Sequence, residues 1–160
     1  MPKDPKQAAV FHVTTARTAF AAEEYGRATE RLADAIAADP ADPLAYFLLA
    51  QVRTARGEYA EAVTAIRDGM KRAPDWPATG FRIRELYGKN PRRFDEHLVE
   101  LRRASDARPD DATLAFLMGY HLWFLGERGD AAKLFRKAVG KVKDGGVIDR
   151  FLAEADGKDA

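Results

Sequence analysis

Apolar residues recur along this chain at intervals of three and four, the spacing that puts them on one face of a helix. The pattern is plain in Tyr25, Ala28, Leu32 and Ala35, and it returns in Tyr59, Ala62, Ile66 and Gly69. Nine helices are predicted, at about 5–22, 25–38, 43–56, 59–72, 77–88, 91–107, 111–125, 128–142 and 147–156. Asp4-Pro5 and Asp42-Pro43 place a capping carboxylate before a proline whose missing N–H costs nothing at a first helical position. Gly57 and Gly126 stand where a helix must stop and turn back. The ninth helix gathers Val147, Ile148, Phe151, Leu152 and Ala155 on one face, with Asp149, Arg150 and Glu154 opposite, as a terminal cap would.

Pro40, Pro74 and Pro109 lie 34 and then 35 residues apart, about the length of one helical hairpin. Tyr25 and Tyr59 precede their prolines at the same distance, and Ala131, Phe135 and Ala138 repeat the upstream pattern without a proline. Two short helices cannot bury an apolar face alone, so hairpins of this period must stack. Ala28, Ala62 and Ala131 suit the close-approach positions of such a stack. Leu32, Ile66, Leu101 and Phe135 would fill the space between helices.

Residues 43–76 carry Tyr46, Leu49, Ala50, Gly57, Tyr59, Ala62 and Pro74, and this unit resembles the tetratricopeptide repeat. Met118, Gly119, Leu122, Gly126, Ala131, Phe135 and Ala138 repeat the likeness, which spans about residues 8–143. It implies an all-α, right-handed α-solenoid of about four hairpins, with units near 9–42, 43–76, 77–111 and 112–145 and a capping helix near 147–156, all in one domain over 1–160. The third unit departs from the pattern. Gly88 ends its first helix, Asn90-Pro91 starts the next early, Phe94 replaces the usual tyrosine and His97 the usual alanine. The first unit has His12, Thr15 and Ala16 where bulky, Leu and Gly residues are typical, and terminal units are often irregular.

Composition agrees: 30 alanines with few β-branched residues favour helix over sheet. No cysteine is present, which excludes disulfides and thiolate metal sites. The longest apolar runs, Leu44–Ala50 and Leu114–Met118, fall far short of the ~20 residues that span a bilayer, so membrane insertion is not expected. The polar N-terminus holds no signal core. A cytoplasmic chain is the default expectation, and an exported one if a signal was removed. The net charge is +1. Arg82, Arg84, Lys89, Arg92, Arg93, Arg102, Arg103 and Arg108 leave a local excess of three positive charges over 77–109, weaker than a nucleic-acid surface usually carries.

No constellation for catalysis is found. His12, His97 and His121 fall in different units, none four residues from another, and no phosphate loop or nucleophile elbow surrounds Gly145-Gly146 or Ser105. Acid pairs such as Glu23-Glu24 and Asp110-Asp111 sit at helix starts, where the dipole favours them. Neither an enzyme nor a cofactor is expected.

The resemblance implies instead a protein or peptide partner held on the concave face by the first helix of each hairpin. Its groove positions fall on Val10, Val13, Arg17 and Phe20, on Leu44, Phe47, Gln51 and Thr54, on Arg82 and Leu86, and on Phe116, Tyr120, Trp123 and Phe124. Arg17, Phe20, Phe47, Gln51, Arg82, Phe116, Tyr120 and Trp123 are the candidate partner-binding residues, an aromatic groove in which Arg17 and Arg82 are free to meet an acidic group. Adjacent Trp123 and Phe124 cannot both face it, so one belongs to the core. The carboxylate clamp of some relatives is absent, since Val13, Arg17, Leu48 and Arg82 occupy its places. Self-association through Trp76, Phe81, Tyr87 or the end faces, or a role as an assembly component bridging two other proteins, is the alternative.

Overall fold

A computed structural model describes residues 4–157. Eight α-helices occupy them: α1 Pro5–Ala21, α2 Tyr25–Ala38, α3 Pro43–Ala55, α4 Tyr59–Arg72, α5 Pro91–Ala107, α6 Ala112–Phe124, α7 Arg128–Ala138 and α8 Val147–Ala155. Two 3-10 turns, η1 Trp76–Ala78 and η2 Ile83–Tyr87, lie between α4 and α5. The fold is all-α and built from helical hairpins, as the repeat implies. Helix α1 pairs with α2, α3 with α4 and α6 with α7; α2 packs on α3, and α8 closes on α7.

The helix starts follow their carboxylates. Asp4 accepts from the Lys6 amide at 2.8 Å, Asp42 from Leu44 at 3.0 Å and Asp111 from Leu114 at 3.1 Å. Gly57 and Gly126 turn their hairpins with φ of 75° and 89°; Glu23, at the same place in the first hairpin, is held at 63°. Ala28, Ala62 and Ala131 are sealed between helices, and Leu32, Ile66, Leu101 and Phe135 fill the spaces as expected. Helix α7 stops at Ala138 rather than 142, because Val139 is extended and Gly140 takes a φ of 77°.

The third unit requires the larger correction. No α-helix forms over 77–88: the chain makes the two 3-10 turns and crosses from Thr79 to Arg82 outside any helix. Thr79 and Gly80 are poor helix formers near the start of the expected helix. Phe81, Ile83, Leu86 and Tyr87 instead go inward one at a time from a looser backbone.

Helix α5 then crosses the turn ends of the first two hairpins. Its Arg93 meets Glu23 at 2.7 Å and its His97 ring lies 6.0 Å from Tyr25, while Ala104 and Ala107 share a hollow with Gly57 and Tyr59. Helix α6 therefore starts beside the beginning of α4 and ends beside Trp76, just past its end. Every residue of α6 from Leu114 to Phe124 is buried. A helix apolar on all sides is a core helix, so Trp123 and Phe124 are both interior, which corrects the expectation that only one would be.

Candidate functional site

The inward face of α1 and α3 presents Phe20, Leu48, Gln51 and Val52, with Arg17 on the rim. That face is not open. Residues 76–90 run over it and over α6, and they account for most of the aromatic positions nominated from the sequence.

At one end Trp76 lies on Phe47, ring centroids 3.9 Å apart, and its indole N–H donates to the Tyr120 hydroxyl at 3.1 Å. The Trp123 indole N–H donates to the Pro77 carbonyl at 3.0 Å, and the Arg128 guanidinium covers the Trp123 ring at 4.3 Å. Phe116 meets Phe135 edge-on at 5.8 Å. Phe47, Phe116, Tyr120 and Trp123 are each no more than 1% exposed. The aromatic groove expected from the sequence is thus filled by the chain itself, because these rings bury more apolar surface against residues 76–81, α7 and α8 than against water.

At the other end a chain of hydrogen bonds ties η2 to α3, α5 and α6. His121 Nδ1 lies 2.8 Å from the Leu117 carbonyl, so that nitrogen carries the proton and Nε2 accepts from the Gln51 amide at 3.1 Å. Gln51 also donates to the Tyr87 hydroxyl at 3.5 Å, which donates in turn to His97 Nδ1 at 2.9 Å. Phe20 packs edge-on against the Tyr87 ring at 4.8 Å. Burial pushes His121 down to about 4, partly opposed by the Leu117 carbonyl, and pushes the Tyr87 and Tyr120 hydroxyls well above their ordinary range. His97 is lowered by burial and by Arg93, against the pull of Glu96 and Glu23. Nothing in the sequence pattern linked Gln51 to His97 and His121, since the four partners come from four elements.

Arg17 and Arg82 are the nominated residues that reach solvent. Arg17 borders an open hollow of about 550 Å³ shared with Leu86, Gly88, Lys89 and Asn90. Arg82 is 78% exposed in its side chain and pairs with Glu85 at 3.5 Å. Trp76, Phe81 and Tyr87, named for self-association, are partly or wholly buried; the large apolar side chains that do face solvent are Val10, Phe11, Val99 and Val139. Among the described residues no three metal-ligating side chains converge, and no helix is long and apolar enough to cross a membrane.

Residues 19–79 match the family model of the tetratricopeptide repeat. No curated protein matches the chain. A solved structure described as "Crystal structure of MamA" is similar at 17% identity with a TM-score of 0.43, over 98% of this chain and 82% of that one. Tyr25, Ala28 and Leu32 in α2 and Tyr59, Ala62 and Ile66 in α4 hold equivalent places in two stacked hairpins, and the chain carries the tetratricopeptide repeat over residues 19–79.

Proposed function

We propose that this protein is a non-enzymatic interaction module that grips a protein or peptide segment at the α1–α3 groove. One observation carries the reading: beneath the exposed cation Arg17 the inward faces of α1 and α3 form an apolar floor of Phe20, Leu48 and Val52 with a single amide, Gln51, which Leu86 covers. Apolar walls supply binding energy, while one polar group and a rim charge orient the occupant. Repeat hairpins of this family serve generally as protein-binding scaffolds, and Arg17 and Arg82 favour a partner with an acidic flank.

Capture of partners by wild type and by the Arg17→Glu/Arg82→Glu variant tests this directly. Both substitutions lie on solvent-exposed side chains, so circular dichroism should be unchanged. A protein retained by wild type and lost by the variant is the expected result; equal retention would remove the groove rim from the function.

A scaffold role through self-association is the second reading, with Val10 and Phe11 on α1, 62% and 46% exposed, as its surface. Sedimentation over a concentration series distinguishes it, a constant mass near 17.7 kDa counting against it.

A further inference from the structure

We propose that residues 79–90 are a displaceable plug, seated in the α1–α3 groove where a partner segment binds. The partner fitting this seat supplies apolar side chains at i, i+3 and i+4, the last carrying a hydroxyl. The inference rests on the groove-binding reading above and gives the occupant its chemistry.

The seat is visible in the molecule. Ile83, Leu86 and Tyr87 stand at i, i+3 and i+4 and go inward, while Arg82, Arg84, Glu85 and Lys89 remain in solvent. The Tyr87 hydroxyl reaches the Gln51 amide, the one polar group of the groove floor, at 3.5 Å. The segment therefore shows what the groove accepts.

Packing beneath Leu86 is close, with only about 10 Å³ left between Ala16, Phe20, Leu32, Leu48 and Val52, so the case for release rests on the segment's backbone. The backbone bonds of the segment are local, from Glu85 to Arg82, Gly88 to Glu85 and Asn90 to Tyr87, and none reaches the groove walls. Side chains hold the segment through Tyr87 and through Arg84 to Asp95 at 2.6 Å, while the flanks are fixed apart from it: Trp76 and Pro77 are bonded to Tyr120 and Trp123, and α5 is tied to the α1–α2 turn through Arg93 and Glu23. Between them Gly80 has open space around it, and Gly88 sits at φ 57° and ψ −122°, a backbone region reserved for glycine. The same residues carry a helical spacing of apolar positions, so a second conformation is open to the segment once it leaves the groove. A switch needs such a two-state element.

The absence of cysteine makes a lock available. A Cβ at Gly88 would lie 3.8 Å from that of Ala21, the usual span of a disulfide, and the cost of a side chain at φ 57° is common to both redox forms, so only their difference is read. The Ala21→Cys/Gly88→Cys variant is oxidised or reduced, giving closed and releasable forms of one protein, and Leu86→Ala loosens the plug without any crosslink. The probe is a fluorescein-labelled peptide of residues 79–90. We expect the reduced form and Leu86→Ala to bind it at least tenfold more tightly than the oxidised form. We also expect amides 81–88 to exchange hydrogen faster than those of α3 until oxidation slows them. Equal peptide affinity in oxidised and reduced forms would overturn the plug, as would failure of Leu86→Ala to bind together with exchange at 81–88 as slow as in α3. A cellular partner captured equally by both redox forms also overturns it yet leaves the interaction module standing. Peptide discrimination with no partner captured supports the plug and counts against the broader reading. Dimers of Leu86→Ala support displacement and make a second copy the occupant.

Discussion

Trp76 and Phe47 stack with their ring planes 5° from parallel, joining the residue that closes the second unit to that unit's first helix. The contact draws the chain inward as it leaves α4. Trp76→Ala removes the stack and leaves the buried Tyr120 hydroxyl without its donor. A loss of about 3–5 kcal/mol is expected in urea unfolding. Because only Trp76 and Trp123 absorb as indoles and both touch η1, the fluorescence of the variant should report the remaining Trp123 in a wetter setting.

Gly69 tests how rigidly that stack is held. A Cβ there would meet the Phe47 ring at 2.8 Å, and the ring cannot retreat with Trp76 behind it. Gly69→Ala should therefore destabilise by about 1–3 kcal/mol despite the better helix propensity of alanine. Adding Phe47→Leu should recover part of the loss, so the two changes are non-additive in a double-mutant cycle. Additive costs would show that the helices separate to absorb the methyl group.

The hairpins were legible because their information is local: a capping carboxylate, a turn glycine and apolar residues at helical spacing lie within one stretch of chain. Asp42, Gly57 and Ala62 each do in the fold what their neighbours in sequence indicate. Residues 77–88 misled for the same reason, since Phe81, Leu86 and Tyr87 have helical spacing but their partners, Trp76, Phe20 and Gln51, lie in other elements. Thr79 and Gly80, poor helix formers, were the available sign against a helix over 77–88. Phe47, Tyr120 and Trp123, nominated for the groove, point inward and are covered, and periodicity cannot tell a surface facing a partner from one facing the chain itself. The bonds joining Gln51, Tyr87, His97 and His121 had no sequence signal at all.

Glu23 offers a case where the repeat pattern points to a better residue. It occupies the turn position held by Gly57 and Gly126 in other hairpins, at a φ of 63° that a side chain with a Cβ adopts at a cost of about 1–2 kcal/mol. Glu23→Gly relieves that strain but gives up the exposed pair with Arg93, worth at most about 1 kcal/mol, and adds unfolded-chain entropy. The net change is expected within about 1 kcal/mol of zero. Glu23→Asn, which tolerates the left-handed region with less entropy cost, should be the more stable of the two variants by thermal unfolding. The reverse order would show that strain at this turn is negligible.

His121 makes the fold sensitive to acid in a defined window. Its imidazole is fully enclosed, its Nδ1 proton is committed to the Leu117 carbonyl, and its Nε2 must stay bare to accept from Gln51. In the unfolded chain the ring takes a proton near pH 6.5, but in the fold not until about 4. The unfolded state therefore binds more protons between these values, so the contribution is complete above 6.5 and is lost as the pH falls toward 4. From pH 7.5 to 4.5 the loss amounts to roughly 2–3 kcal/mol. His97, also lowered, acts in the same direction. His121→Gln keeps an amide in place of the ring and removes the titration. Urea midpoints at the two pH values should converge for this variant while those of wild type diverge, and an equal divergence in both would place the acid sensitivity elsewhere. Protonated His121 would set an N–H against the Gln51 amide, so the same acidification should weaken the bond from Gln51 to Tyr87 and speed hydrogen exchange at η2 before the hairpins open.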